Sequence, residues 1–171
     1  MKSIYYILVA ILLFYLDTVL TFLSPIMIGP QRLILVPHLV FLYLMLIAVY
    51  KNTSIALILG ILLGTMQDLF FGQIYGVYLF GYIVFVLLAD KFLKVFFRDH
   101  IMVYAMLILG VVLLEIFVVL IYLLLGLIDV SILHFIIFRI LPTAVLNALL
   151  LVFLYFLGNK FINQTRPIDT K

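Results

Sequence analysis

Asp17, His38, Glu115 and Arg139 interrupt long apolar runs, and an ionisable side chain at such a position is costly to bury unless it is paired or hydrated. Two acids, one guanidinium and one imidazole can do three things there. They can form a structural ion pair that fixes helix register, relay protons or ions, or line a polar cavity for a ligand. Two acids facing one base leave a spare negative charge, so either one acid is protonated or the cluster is wet. Catalytic arrangements are not found. Intramembrane proteolysis needs a Ser–His pair, two aspartates on facing spans with one in a GxGD-like setting, or a zinc-binding HExxH. Here Ser24, Ser54 and Ser131 fall at the ends of apolar runs, and the neighbours of Asp17 and Asp68 match no aspartyl pattern. Phosphate-binding glycine loops and metal-ligand spacings are missing too, and a chain without cysteine has neither thiol catalysis nor disulfides. The expectation is a non-enzymatic protein with no cofactor and no metal.

The elements that must position these residues follow from composition. The chain has 171 residues, of which 69% are hydrophobic and 10% charged, against about a quarter charged in soluble domains. That is an integral membrane protein, all-α, with no room for a separate soluble domain. A helix needs about 20 apolar residues to cross a hydrocarbon core of about 30 Å. Six such segments emerge, at about 4–23, 33–50, 53–71, 74–89, 101–127 and 132–161, in a single domain with a short tail at 162–171. The first is too long for a signal-peptide core and has no small-x-small cleavage site after it, so it stays as an anchor.

Orientation follows from the cations. In a six-span arrangement Lys2, Lys51, Lys91, Lys94, Arg98, Lys160, Arg166 and Lys171 share one side, Arg32 takes the other, and Arg139 lies inside the last span. Cytoplasmic loops collect Lys and Arg, so both termini are expected in the cytoplasm. The net charge of +3 is then a consequence of topology and gives no reason to invoke nucleic acid. The first outer connection, SPIMIGPQRLILVP, holds Pro25, Gly29, Pro30 and Pro37, which suits a non-helical crossing or a re-entrant piece sheltered by protein. The cytoplasmic stretch DKFLKVFFRDH mixes three cations with Phe92, Leu93, Phe96 and Phe97. It reads either as an interfacial loop whose aromatic rings dip into the headgroups or as a docking surface for a cytosolic partner.

At about 1.5 Å per residue, Asp17 and Glu115 both stand roughly 21 Å from the cytoplasmic face, and Arg139 stands roughly 11 Å from the outer one. In a core of about 30 Å these levels agree to within a helical turn. The expectation is an Arg139–Glu115 ion pair, with Asp17 as a second acid or alternate partner and His38 adding a hydrogen bond. Pro142 removes a backbone hydrogen bond three residues after Arg139, which predicts a kink, and Asn147 adds a polar side chain further along.

The stretch GILLGTMQDLFFGQIYG carries Gly60, Gly64, Gly72 and Gly76 at four-residue spacing, with Asp68 in the one gap of the series. Gly60 and Gly64 form a GxxxG pair that lets another helix approach closely, so this is a helix-packing or partner-contact face. Asp68 falls on the same face at the outer end of its span, where it can reach water or cap the next helix. Gly72 and Gly76 are expected to supply positive backbone angles for a tight outer turn and room for the fourth span.

This pattern, two glycines four apart, Gln-Asp-Leu, a glycine, then Ile-Tyr-Gly and Gly81 in the next span, resembles the best-marked region of the MreD family of rod shape-determining membrane proteins. The chain length, the six spans, the prolonged first outer connection and the proline at Val36-Pro37-His38 agree with it. The resemblance implies a bacterial cytoplasmic-membrane component of the cell-elongation machinery, a scaffold associated with the bitopic protein MreC. Through MreC it implies links to MreB filaments inside, and to a SEDS glycosyltransferase and a class B penicillin-binding protein outside. The outer surfaces at 68–76 and 25–37 are then candidates for partner contact. The family fold also resembles that of the substrate-binding subunits of energy-coupling-factor vitamin transporters, which creates a rival. Pocket material for it exists in Asp17, His38, Glu115, Arg139 and eleven tyrosines, but the first span lacks the small-x-small face with which such subunits meet their coupling partner.

Overall fold

The computed structural model describes residues 2–28, 31–92, 100–129 and 131–162. In chain order these form α1 (Lys2–Phe22), strands β1 (Ile26–Ile28) and β2 (Gln31–Leu33), α2 (Leu39–Tyr50), α3 (Thr53–Phe71), α4 (Val77–Phe92) and α5 (His100–Leu124). Then come α6 (Ile132–Phe135), a π-helical segment (Ile136–Ile140) and α7 (Leu141–Ile162), which run on without a break. Most of the cationic stretch after Phe92, with Lys94 and Arg98, and the tail from 163 lie outside the described residues.

The exterior of the molecule is as apolar as its core. Large apolar side chains such as Leu8, Leu12, Ile58, Ile61, Leu109 and Leu149 face outward, whereas Asp17, His38, Gln67, Asp68, Glu115, Thr143 and Asn147 are buried. An exterior this apolar, with the ionisable groups turned inward among the core residues, is stable only where the surrounding medium is hydrocarbon, so this is a membrane protein. Among the described residues, Ile4–Phe22, Thr53–Phe71, Ile101–Leu124 and Ile132–Tyr155 are long and apolar enough to cross a membrane. α2 is apolar with 12 residues and α4 has 16, so helix length and composition alone give four crossings where six were expected.

α2 occupies the centre. It packs against α1, α3, α4, α5 and α7, and nine of its twelve residues are buried, which is why it is apolar on every side and shows no polar stripe. The expected second span began at residue 33, but the helix starts only at Leu39. Pro37 has no N–H and disfavours helical backbone at Val36 before it, so the chain reaches α2 as an irregular segment, residues 34–38. Ahead of that segment the chain makes a small antiparallel hairpin in which Ile26 pairs with Leu33 and Ile28 with Gln31. The sequence reading anticipated a non-helical connection here and missed its strands, although a short apolar run between Pro25 and Gly29-Pro30 is their usual signature.

Candidate functional site

Two helices of the bundle begin inside protein, where their first backbone N–H groups have no water to bond. Each is capped by an aspartate from the helix before it. Asp68, near the end of α3 and buried, accepts from Tyr78 through Oδ1 at 2.8 Å, and from Gly76 and Leu79 through Oδ2 at 2.9 Å each. These amides are the cap and the second and third positions of α4, so a side chain from outside the helix does the work of an N-cap residue. Asp17 does the same for α2, accepting from the amides of Leu39 and Val40 at 2.9 Å each. Asp17 was expected as the second acid or alternate partner of Arg139; instead both its oxygens are taken by these amides.

Residues 34–38 form a strap along the π-helical segment and α7, and its backbone groups find partners there and at Ser24. Pro142 cannot donate to the carbonyl of Phe138, as a residue with an N–H would in a regular helix, and Ile34 N–H donates to that carbonyl at 2.9 Å instead. Leu35 N–H donates to Ser24 Oγ, and Val36 N–H to Thr143 Oγ1 at 3.2 Å. Asn147 closes the strap from both sides, its Nδ2 donating to the Val36 carbonyl and its Oδ1 accepting from His38 N–H, both at 2.8 Å. Thr143 and Asn147 stand one turn apart on one buried face of α7, a polar i, i+4 pair in an apolar helix. That spacing was the available sequence signal for a backbone clamp. Where a kink was expected at Pro142, the chain carries the π-helical segment, in which Leu141 N–H bonds the carbonyl five residues back at Ile136.

Glu115 on α5 is reached from both sides. Arg139 Nε donates to its Oε2 at 2.7 Å, and His38 Nε2 lies 2.8 Å from its Oε1. A carboxylate only accepts, so the imidazole carries its proton on Nε2; Nδ1 is buried with no hydrogen-bond partner among the described residues. His38 and Glu115 are each 1% exposed, whereas Arg139 is 27% exposed. Arg139 lines a cavity of about 200 Å³ together with Gln73, Tyr78 and Tyr122, at the end of the bundle where α3 turns into α4.

The glycines divide by function. A methyl group on Gly64 would stand 2.7 Å from Leu79 Cα of α4, a distance that forces the helices apart, while one on Gly60 would meet Tyr82 and Leu44 only at ordinary contact distance. The GxxxG face is therefore turned onto α4 within the same chain. Gly76 has a φ of +101°, as the turn requires. Gly72 was expected to share that geometry and does not: its φ is −78° and ψ 135°, and its place in the series reflects closeness to the Asp68 carbonyl.

The comparison with known proteins now bears on this frame. A family model for MreD, the rod shape-determining protein, matches residues 1–165. The chain belongs to the MreD family. Over 114 residues it is 31% identical to the rod shape-determining protein MreD of Bacillus subtilis (strain 168), a stretch covering 67% of this chain and 66% of that protein, just under two thirds of the relative's length. No solved structure matches the chain. Both the family model and the Bacillus subtilis relative are described as rod shape-determining proteins.

Proposed function

We propose that the chain is a six-crossing scaffold of the cell-wall elongation machinery in the bacterial cytoplasmic membrane. It binds the transmembrane segment of an MreC-like bitopic protein, and through it keeps MreB filaments in register with a SEDS glycosyltransferase and a class B penicillin-binding protein outside. The observation that carries this reading is how the interior polar groups are used. Asp17 and Asp68 hold helix ends, Thr143 and Asn147 hold the strap, and Glu115 holds His38 and Arg139. Such an interior makes a stiff frame, and a stiff frame suits orienting another protein's span.

The six-crossing reading rests on the strap and on α4. α2 spans about 18 Å and five strap residues at most about 17 Å more, together enough for a core of about 30 Å. α4 spans about 24 Å. Both termini are cytoplasmic on the evidence of the eight Lys and Arg residues grouped on that side. With the GxxxG face engaged by α4, partner contact falls to the outer collar, where Phe22, Leu23, Met27, Phe70 and Tyr75 are exposed.

A photo-crosslinking side chain at Tyr75, with Ile101 at the opposite end as control, tests this in native membranes. Capture of a single-span protein from Tyr75 and not from Ile101, followed by co-purification of wall-synthesis enzymes with the tagged chain, is the expected result. Co-purification of paired ATPases with a coupling subunit would replace the scaffold with a vitamin-uptake role.

A further inference from the structure

We propose that the cavity bounded by Gln73, Tyr78, Tyr122 and Arg139 is a binding site for a phosphate-type oxyanion, carried either on a lipid headgroup or on a small solute. This goes beyond the scaffold reading and does not depend on it. The cavity holds about 200 Å³, the volume of about six or seven waters. Its lining runs from two loop residues, Gln73 and Ile128, down to Arg139 in the π-helical segment. It therefore meets the bundle end where headgroups and water lie.

Hydrogen-bond accounting selects the ligand. A guanidinium has five N–H donors, and among the described residues Arg139 uses one, its Nε to Glu115. The fork of terminal N–H groups is left over on a side chain that is 27% exposed and lines the cavity. Tyr122 Oη accepts from Gln73 N–H at 3.1 Å, which leaves the hydroxyl proton to donate. Val118 and Val119 complete the lining on the α5 side. Surplus donors around a guanidinium fit a ligand whose oxygens only accept, and the planar fork matches two oxygens of a phosphate. Glu115 already balances the charge of Arg139, so the oxyanion is held by directed hydrogen bonds rather than by net charge.

The test uses the full chain in lipid nanodiscs of phosphatidylcholine, titrated with inorganic phosphate against chloride at matched ionic strength while the melting temperature is followed. In parallel, the chain is released from discs containing phosphatidylglycerol, and retained lipid is counted by native mass spectrometry. A saturable, phosphate-specific rise in melting temperature identifies a solute, and retained phosphatidylglycerol identifies a headgroup. Arg139→Lys keeps a cation facing Glu115 but loses the fork, and it should weaken either signal by about tenfold. Tyr122→Phe leaves the ion pair intact and should weaken it by about threefold, which separates loss of the site from loss of the fold. Absence of both signals in the wild-type chain, or signals unchanged in both variants, overturns the proposal.

Discussion

At the residue scale, three buried acidic side chains serve two distinct ends. Asp17 and Asp68 accept from backbone amides, so their partners are fixed by helix position and, in the partner helix, only a proline would remove one. Glu115 accepts from side chains and is therefore open to a double-mutant test. Arg139→Ala strands a carboxylate that is 1% exposed and should lower stability by about 3 kcal/mol. Adding Glu115→Ala removes the stranded charge and should restore part of that loss, measured as unfolding in mild detergent. A double variant as unstable as the sum of the singles would mean the two residues do not couple.

At the element scale, close approach and backbone satisfaction decide where helices sit. α3 and α4 touch backbone to backbone at Gly64. Gly64→Ala should therefore cost about 1–3 kcal/mol by overpacking, whereas Gly60→Ala, with room for the methyl group, should change stability by less than about 1 kcal/mol in either direction. Thermal melts of the two variants side by side check this, and equal effects would contradict the contact. The strap makes the complementary point. An irregular segment survives at membrane depth because the π-helical segment supplies a free carbonyl at Phe138 and α7 supplies polar side chains at Thr143 and Asn147. The proline that frees the carbonyl for Ile34 and the Thr143–Asn147 clamp that holds the rest of the strap lie within one short stretch of the same helix, so both halves of the strap's docking site are encoded together.

At the scale of the whole molecule, the apolar exterior and the cation distribution make orientation testable. The chain contains no cysteine, so single-cysteine variants can be labelled without background. Ser54, in the first turn of α3, and Asp129, in the connection after α5, are both exposed, and the six-crossing reading assigns them to opposite sides. A membrane-impermeant maleimide applied to intact cells should label Asp129→Cys and spare Ser54→Cys, with both labelled after permeabilisation. The reverse pattern would invert the topology, and labelling of both in intact cells would contradict six crossings.

Sequence by itself determined the class of this protein, because solvent choice is a matter of composition, and residues by type and spacing marked its special places. The GxxxG pair, the Asp68 cap and the nearness of Glu115 to Arg139 were all legible, since each depends on helical period and on depth counted along a span. The partner of Asp17, the strands at 26–33 and the late start of α2 were not. Depth along a helix says at what level a side chain lies, but not which way it turns around the axis or what stands opposite. Asp17 and Arg139 are near one level by counting, yet Asp17 turns to the amide end of α2, a choice made only when that helix, interrupted by Pro37, is packed at the centre of the bundle. Tertiary structure likewise decided that the conspicuous glycines serve the chain's own α4, because a close helix contact looks the same in sequence whether its partner lies in the same chain or another.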